Sequence, residues 1–328
     1  MRKFRVALVG AGRIGRIHAA NVASHPQLSL SHVVDPVSRS AEAVAAGAGA
    51  RVASLANVLA DASVDGVIVA SSTDMHLDCC LAAHAAGKAI FCEKPLDLSL
   101  ARLTRAARDL ADARLFVGFN RRFDPHFAAL RAQLAEGAVG KLESLQITSN
   151  DPAPPPIDYV LVSGGLFRDM AIHDFDMARW LLGEPVSEIF AWGAALVDPA
   201  IGEAGDIDTA RTVLKTPSGR LCAIANSRRS GFGYDQRIEA YGSAGMLRAG
   251  NVVESTLQVW SEPGARADRF QNFFLDRYAA AYAAEMAHFA DVLAGRATPL
   301  IGFDDGTAAL ALAEAAGRSL ADGKPVRL

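Results

Sequence analysis

The chain has 328 residues, 51% of them hydrophobic, and a formal net charge of −3. This length and apolar content suffice for two domains with separate cores, and the lack of a basic excess argues against a nucleic-acid partner. No run is long enough and free enough of charge to span a bilayer, so no membrane partner is expected. The start, Met1-Arg2-Lys3 and then the apolar run Phe4–Val9, imitates a secretion signal, but the run breaks early at Gly10 without a cleavage pattern. Four cysteines, Cys79, Cys80, Cys92 and Cys222, lack CxxC spacing, and reduced thiols in a cytoplasmic protein are the simplest reading.

Residues 1–120 alternate β-type runs with amphipathic, Ala-rich segments. Strands are predicted at Phe4–Val9, Leu28–Val34, Gly66–Ala70, Lys88–Cys92 and Leu115–Gly118, with helices near Arg13–Ala23, Arg39–Ala46, Asp74–Ala86 and Ser99–Ala113. That rhythm predicts an α/β domain, a parallel sheet with helices on both faces. After Asn120 the rhythm changes. A helix at about Asp124–Glu136 leads to a strand at Lys141–Ser149, and Asp151-Pro152-Ala153-Pro154-Pro155-Pro156 forces an extended loop. One helix is expected from about Asp169 to Gly183, a usual stop residue with Pro185 just beyond. Strand-like runs follow at Val186–Leu196, Asp208–Thr216, Arg220–Ser227, Asp235–Tyr241 and Val252–Val259, and tight turns between them predict a mainly antiparallel sheet. Helices at Asp276–Ala294 and Asp304–Ala321 close the chain, and the stripe Tyr278, Tyr282, Met286 and Phe289 reads as core. Residues 121–328 thus form an α+β domain on an open sheet, whose bare face suggests a homo-oligomer, a dimer or tetramer.

Gly10-Ala11-Gly12-Arg13-Ile14-Gly15 matches G-x-G-x-x-G directly after a strand and at the opening of a helix. Gly10 allows the tight turn, Gly12 lets backbone approach a pyrophosphate, and Gly15 lets helix and strand pack closely, with Arg13 and Ile14 in the first helical turn. Asp35 ends the second strand about 20 residues on, where a carboxylate grips the adenosine ribose. The first domain therefore reads as a Rossmann-type dinucleotide site. Asp35 repels a 2′-phosphate and favours NAD, while Arg39 leaves NADP possible; a plain turn role before Pro36 is the alternative for Asp35. Ser71, Ser72, Thr73 and His76 follow the strand at Gly66–Ala70 and line the cofactor cleft or cap the next helix. Lys94 leaves a buried strand at the same sheet edge, within the turn Glu93-Lys94-Pro95, where a lysine can hydrogen-bond a substrate hydroxyl.

In the second domain, helical spacing puts Asp169, His173 and Asp176 on one face at i, i+4 and i+7, with Ala171, Phe175, Ala178 and Leu182 on the opposite, apolar side. A carboxylate one turn before an imidazole holds the ring and favours its protonated form, as suits a proton acceptor near neutral pH. The alternative is a helix start in which Asp169 serves the dipole and His173 is merely solvated. His173, Asp174 and Asp176 could instead ligate a metal, but no second histidine stands at a useful spacing, so no metal is expected.

Glu93-Lys94-Pro95, together with Gly164-Gly165, Asp169 and His173, resembles the EKP and GG…D…H motifs of the Gfo/Idh/MocA family of sugar and polyol oxidoreductases, and the resemblance runs across essentially the whole chain. The wording Gly118-Phe119-Asn120-Arg121-Arg122-Phe123-Asp124, Phe167 through Asp176, and Gly233-Tyr234-Asp235-Gln236 is most similar to family members that oxidise a cyclitol. The resemblance implies NAD-dependent oxidation of a cyclitol hydroxyl to a ketone, with catalytic Lys94, Asp169 and His173, the cofactor near Glu93 and Lys94, and Arg121, Asp151 and Tyr234 at the substrate. Other members act on glucose, scyllo-inositol, anhydro sugars or nucleotide sugars, and a cofactor-bound sensor without turnover is a further possibility. The loop Ser149-Asn150-Asp151-Pro152 departs from the histidine or arginine with asparagine found in related members, which leaves the preferred stereoisomer open.

Overall fold

A computed structural model describes residues 3–328; Met1 and Arg2, which open the basic start noted above, lie outside the described residues. The chain divides into two compact units, Met1–Phe123 with Ala281–Leu310, and Asp124–Ala280 with Ala311–Leu328. Strand rhythm alone suggests a single break at residue 120. It gives no sign that a C-terminal segment returns to the first unit.

The first unit is built on β1 (Phe4–Val9), β2 (Leu28–Val34), β3 (Arg51–Val52), β4 (Gly66–Val69), β5 (Ala89–Glu93) and β6 (Leu115–Gly118), in the order β3-β2-β1-β4-β5-β6. All neighbours pair in parallel. β4, β5 and β6 are buried along their whole length, as a parallel sheet covered on both faces requires. Helices α1 (Arg13–Ser24), α2 (Ser38–Ala48), α3 (Leu55–Ala60), α4 (His76–Ala85) and α5 (Leu100–Ala106) connect the strands. The short β3 and α3 carry too few residues for a period to show. The returning segment packs on the sheet: a Cβ at Gly66 of β4 would lie 3.0 Å from Leu293 and 3.1 Å from Phe289.

The second unit begins with α6 (Pro125–Ala135) and β7 (Leu142–Asn150). After the proline loop come α7 (Ile157–Ser163), α8 (Gly165–Asp169) and α9 (Ile172–Leu182), then β8 (Glu188–Ala194), α10 (Pro199–Glu203), β9 (Thr209–Lys215), β10 (Leu221–Ser227), β11 (Asp235–Gly242) and β12 (Gly245–Ala249). An exposed hairpin, β13 (Gln258–Ser261) and β14 (Gly264–Ala267), stands where a strand over Val252–Val259 was expected. The last elements are α11 (Phe274–Arg277), α12 (Ala279–Leu293), α13 (Phe303–Asp322) and β15 (Val326–Arg327), so the helix predicted over Asp276–Ala294 is two. Tyr278, Tyr282, Met286 and Phe289 are buried, as their spacing predicts. The sheet runs β12-β11-β7-β10-β9-β8-β15 and is antiparallel except for the β7–β10 pair. One face is apolar and buried, including Ile147, Ile189, Leu214 and Ile224, whereas Trp192, Val213 and Leu221 are exposed.

The single helix predicted from Asp169 to Gly183 is a correction. Gly164 and Gly165 both take positive φ, 85° and 82°, and α8 starts at Gly165, ahead of the expected start, with the Asp206 carboxylate accepting the Leu166 N–H at 3.1 Å. The ladder then breaks at Met170–Ala171. The N–H groups of Met170 and Ala171 share the Leu166 carbonyl, and those of His173 and Asp174 reach back only three residues, to Met170 and Ala171. No proline or glycine marks the break in sequence. α9 does end at Gly183, with φ of 70° and its N–H on the Arg179 carbonyl.

Candidate active site

In the first unit, parallel pairing brings the carboxyl ends of β1, β2, β4, β5 and β6 to one edge. The glycine turn follows β1, Asp35 follows β2, Ser71–Thr73 follow β4, Lys94 follows β5 and Arg121 follows β6. The order of the strands reverses direction between β1 and β4, where open α/β sheets bind their ligands. Gly10 has φ of 99°, and a Cβ there would sit 2.3 Å from the Ala70 carbonyl oxygen. A Cβ at Gly15 would lie 2.0 Å from the Gly10 oxygen, which is the close helix–strand approach read from the motif. Around Gly12 a Cβ would meet nothing within 4 Å, and among the described residues no side chain caps α1, so the N-terminal end of that 12-residue helix can face an anion. These features fit a dinucleotide pyrophosphate.

Asp35 does local work as well. Its Oδ2 accepts the Ala11 N–H at 2.6 Å and its Oδ1 the Val37 N–H at 2.8 Å, so it braces the glycine loop and the following turn at once. Arg13 and Arg39 are exposed and Ile14 half-buried. His76 is buried, with Nδ1 2.8 Å from the Pro95 carbonyl and Nε2 3.1 Å from the Ser71 carbonyl, and so ties the lysine turn to the serine turn. Glu93 also points inward: Oε1 lies 2.7 Å from His18 Nε2 and Oε2 accepts the Lys94 N–H at 3.3 Å. Lys94 itself is half-buried, and Arg121 is buried.

The second unit gathers its own group at one sheet edge. Ser227 pairs in parallel with Asn150, and Asp235 pairs antiparallel with Asn150, so the residues beyond these ends, Arg228, Asp151 and Tyr234, are neighbours. The Asp151 N–H donates to the Ser227 carbonyl at 2.9 Å. Tyr234 is buried, edge-on to Tyr278 at 5.9 Å. Beneath them Asp235 accepts from Arg237, Asn251 and Asn150. Burial alone would raise the Asp235 carboxyl, but these hydrogen bonds and the Arg237 charge outweigh it and hold its pKa below the ordinary carboxylate value.

Asp169, at the end of α8, is held through both oxygens. The Tyr159 hydroxyl donates to Oδ1 at 2.8 Å, and Arg228 reaches Oδ2 with two nitrogens at 3.4 and 3.3 Å. His173, half-buried, lies in the first turn of α9. Asp176 does not share their half-open setting: it and Asp174 are fully buried, and Asp174 accepts the Asn226 side-chain amide at 2.8 Å. Asp176 therefore drops out of the row read from helical spacing, and the helix break falls between Asp169 and His173. Sequence reading missed Tyr159 and Arg228. The available signal was an arginine directly after β10, a strand ending beside the Asp151 loop.

A doubly wound parallel sheet with a glycine-turn anion site, joined in sequence to an open-sheet unit rich in hydrogen-bonding side chains, defines an NAD-binding oxidoreductase. A family model described as an oxidoreductase family with an NAD-binding Rossmann fold matches residues 4–120, and one for the GFO/IDH/MocA C-terminal domain matches residues 127–248. The chain belongs to the Gfo/Idh/MocA oxidoreductase family. It is 44% identical over 326 residues to the inositol 2-dehydrogenase of Rhizobium meliloti (strain 1021), covering 99% of each chain. It is also 44% identical over 328 residues to the myo-inositol 2-dehydrogenase of Thermotoga maritima, covering 99% of this chain and 98% of that one. The crystal structure of a myo-inositol dehydrogenase from Corynebacterium glutamicum ATCC 13032 superposes with a TM-score of 0.95 at 42% identity, covering 99% of both chains.

Proposed function

We propose that the protein is an inositol 2-dehydrogenase that oxidises the 2-hydroxyl of myo-inositol to the ketone with NAD. The observation that carries this reading is the cluster Asp151, Asp169, Arg228 and Tyr234 at one sheet edge, a set of charged and hydroxyl groups suited to the vicinal hydroxyls of an uncharged polyol. Full-length identity to two inositol dehydrogenases supports the same substrate class.

In this reading Lys94 and the Asp169–His173 pair act on one alcohol oxygen. His173 accepts the hydroxyl proton, Lys94 hydrogen-bonds the same oxygen and stabilises its developing negative charge, and Asp169 orients and supports the imidazolium. The bound dinucleotide supplies a nicotinamide that takes the hydride from the carbon. Arg121, Asp151 and Tyr234 pair with the remaining hydroxyls. The glycine turn and α1 hold the pyrophosphate, with Arg13 and Ile14 beside it; Asp35 faces the ribose, and Ser71, Ser72 and Thr73 line the cleft. The protein works in the cytoplasm, where its four free, buried thiols stay reduced. It assembles as a dimer or tetramer through the sheet face that carries Trp192, Val213 and Leu221. Incubation with NAD and a panel of inositols and aldoses, followed by the absorbance of reduced cofactor, tests the reading. Fastest reduction with myo-inositol is expected, and reduction with aldoses but no cyclitol would overturn it.

A further inference from the structure

Two arginines are buried in the second unit, and they are held in different ways. Arg277 forms a two-nitrogen pair with Asp124, one arm at 3.2 Å, and its guanidinium lies over the rings of Phe127 and Tyr278. Asp124 in turn caps α6 by accepting the His126 and Phe127 N–H groups at 3.1 Å. One cation, one anion and one helix end are closed on each other, as a pair that serves the fold should be.

Arg228 is only 1% exposed, yet no single partner claims it. Both terminal nitrogens lean on one oxygen of Asp169 at 3.3–3.4 Å, and one of them lies 4.0 Å from Asp151. Charge-assisted N–H···O bonds settle at about 2.7–2.9 Å, so these contacts are slack. Hydrogen bonds of catalytic groups are commonly long before substrate arrives and tighten in the complex. The backbone, by contrast, is fixed. The Arg228 N–H donates to the Asp208 carbonyl at 2.8 Å, and the Asp208 carboxylate is itself anchored by the N–H groups of Leu196, Val197 and Asp198 at 2.8, 2.8 and 2.9 Å. A rigid base thus aims a buried guanidinium between two carboxylates, and the fork of an arginine can meet both where the point charge of a lysine cannot.

We infer that Arg228 is a positioning residue of the reaction, its guanidinium fixing the Asp169 carboxylate and linking it to Asp151 on the polyol loop. The kinetic consequence rests on the proposed polyol oxidation; the link itself rests on three side chains of one unit. With Tyr159 on the other oxygen, Arg228 leaves Asp169 one orientation from which to support His173. A polyol hydroxyl that engages Asp151 then draws on the same cation, which couples substrate seating to the carboxylate behind the proton acceptor.

The test uses Arg228→Lys and Arg228→Met, each alone and combined with Asp169→Asn, in the full-length protein. Alone, Arg228→Lys should lower kcat roughly tenfold to a hundredfold, the scale expected when a catalytic group is misplaced by about 1 Å, while fluorescence titration shows unchanged NADH affinity. In the Asp169→Asn background the same change should alter kcat by less than about twofold, because the partner it acts through is gone. A full, additive loss in that background would overturn the inference and leave Arg228 a fold residue. Urea unfolding of the Arg228→Met cycle reads the link without any substrate: coupled losses support it, and additive losses overturn it even in a fully active enzyme. Should the wild type reduce no NAD with any cyclitol, the proposed oxidation falls, and the unfolding cycle alone decides the link.

Discussion

Glu285 is fully buried in the first unit, and among the described residues neither of its carboxyl oxygens has a hydrogen-bond partner. Burial first, and then the charge of Glu93, push its pKa well above the ordinary value. The folded protein therefore keeps a proton that the unfolded chain releases above about pH 4.3. Because the folded pKa is the raised one, this group's contribution is fully present below the unfolded pKa and is lost as pH rises toward the folded one. Glu285→Gln removes the titration while keeping shape and volume. The stability gap between variant and wild type should then widen by at most about 1.4 kcal/mol per pH unit above the unfolded pKa, until pH reaches the raised folded value. For a unit of this size each kcal/mol corresponds to roughly 2–4 °C in melting temperature. Thermal melts of both proteins from pH 5 to pH 8 measure it directly, and the wild type should fall behind as pH rises. Parallel curves, or a variant lower by a constant amount throughout, would refute a buried neutral acid. In a Glu93→Gln background the Coulombic cause is absent and burial remains, so the widening should set in at the same pH but level off sooner.

Asp35→Ser should raise kcat/KM for NADP relative to NAD and weaken both dinucleotides, since Ala11 loses its acceptor; an unchanged ratio would show that Asp35 does not face the ribose. His173→Ala should cut kcat by roughly 10²–10⁴ with NADH affinity kept by fluorescence titration, and near-normal turnover would remove its role as proton acceptor. Asp124→Asn retains a capping oxygen for α6 but leaves Arg277 buried without a counter-charge, so urea unfolding should register a loss of roughly 3–5 kcal/mol. A loss below about 1 kcal/mol would mean that the aromatic rings, not the carboxylate, hold that guanidinium.

The first unit was the more legible of the two because its signals are local. Fully apolar runs mark strands buried on both faces, and glycines mark a turn whose neighbours leave no room for a Cβ, as at Gly10 and Gly15. The residues at the strand ends then follow from topology alone. In the second unit the helix through Asp169 and His173 was misread, because nothing in Phe167-Arg168-Asp169-Met170-Ala171 disfavours a helix. The helical segment before the break is instead tied to partners far along the chain: Asp206 on the Leu166 amide and Arg228 on the Asp169 carboxylate. Asp169 was placed in register with His173 and Asp176 by a period that the break resets, and Asp176, on α9 with His173, is buried.

What sequence hid most thoroughly was the pairing of inward-facing polar side chains. His18 and Glu93 are 75 residues apart, Asp169 and Arg228 are 59 apart, and Asp124 and Arg277 are 153 apart. No window of local pattern contains both members of such a pair. One member can nevertheless be suspected alone. Glu285 stands three residues after Tyr282 and four before Phe289, so helical spacing sets a carboxyl on the face that is otherwise core. A charged group on the apolar side of a helix must be paired, neutral or functional, because burying it ionised and alone is too costly. The period therefore raises the question at the level of sequence, and the fold, by giving Glu285 no donor among the described residues and one like charge, favours the neutral acid. Applied to Arg228, the same reasoning selects the other branch: a guanidinium cannot shed its proton, so its burial beside two carboxylates leaves pairing and function as the terms that hold it there.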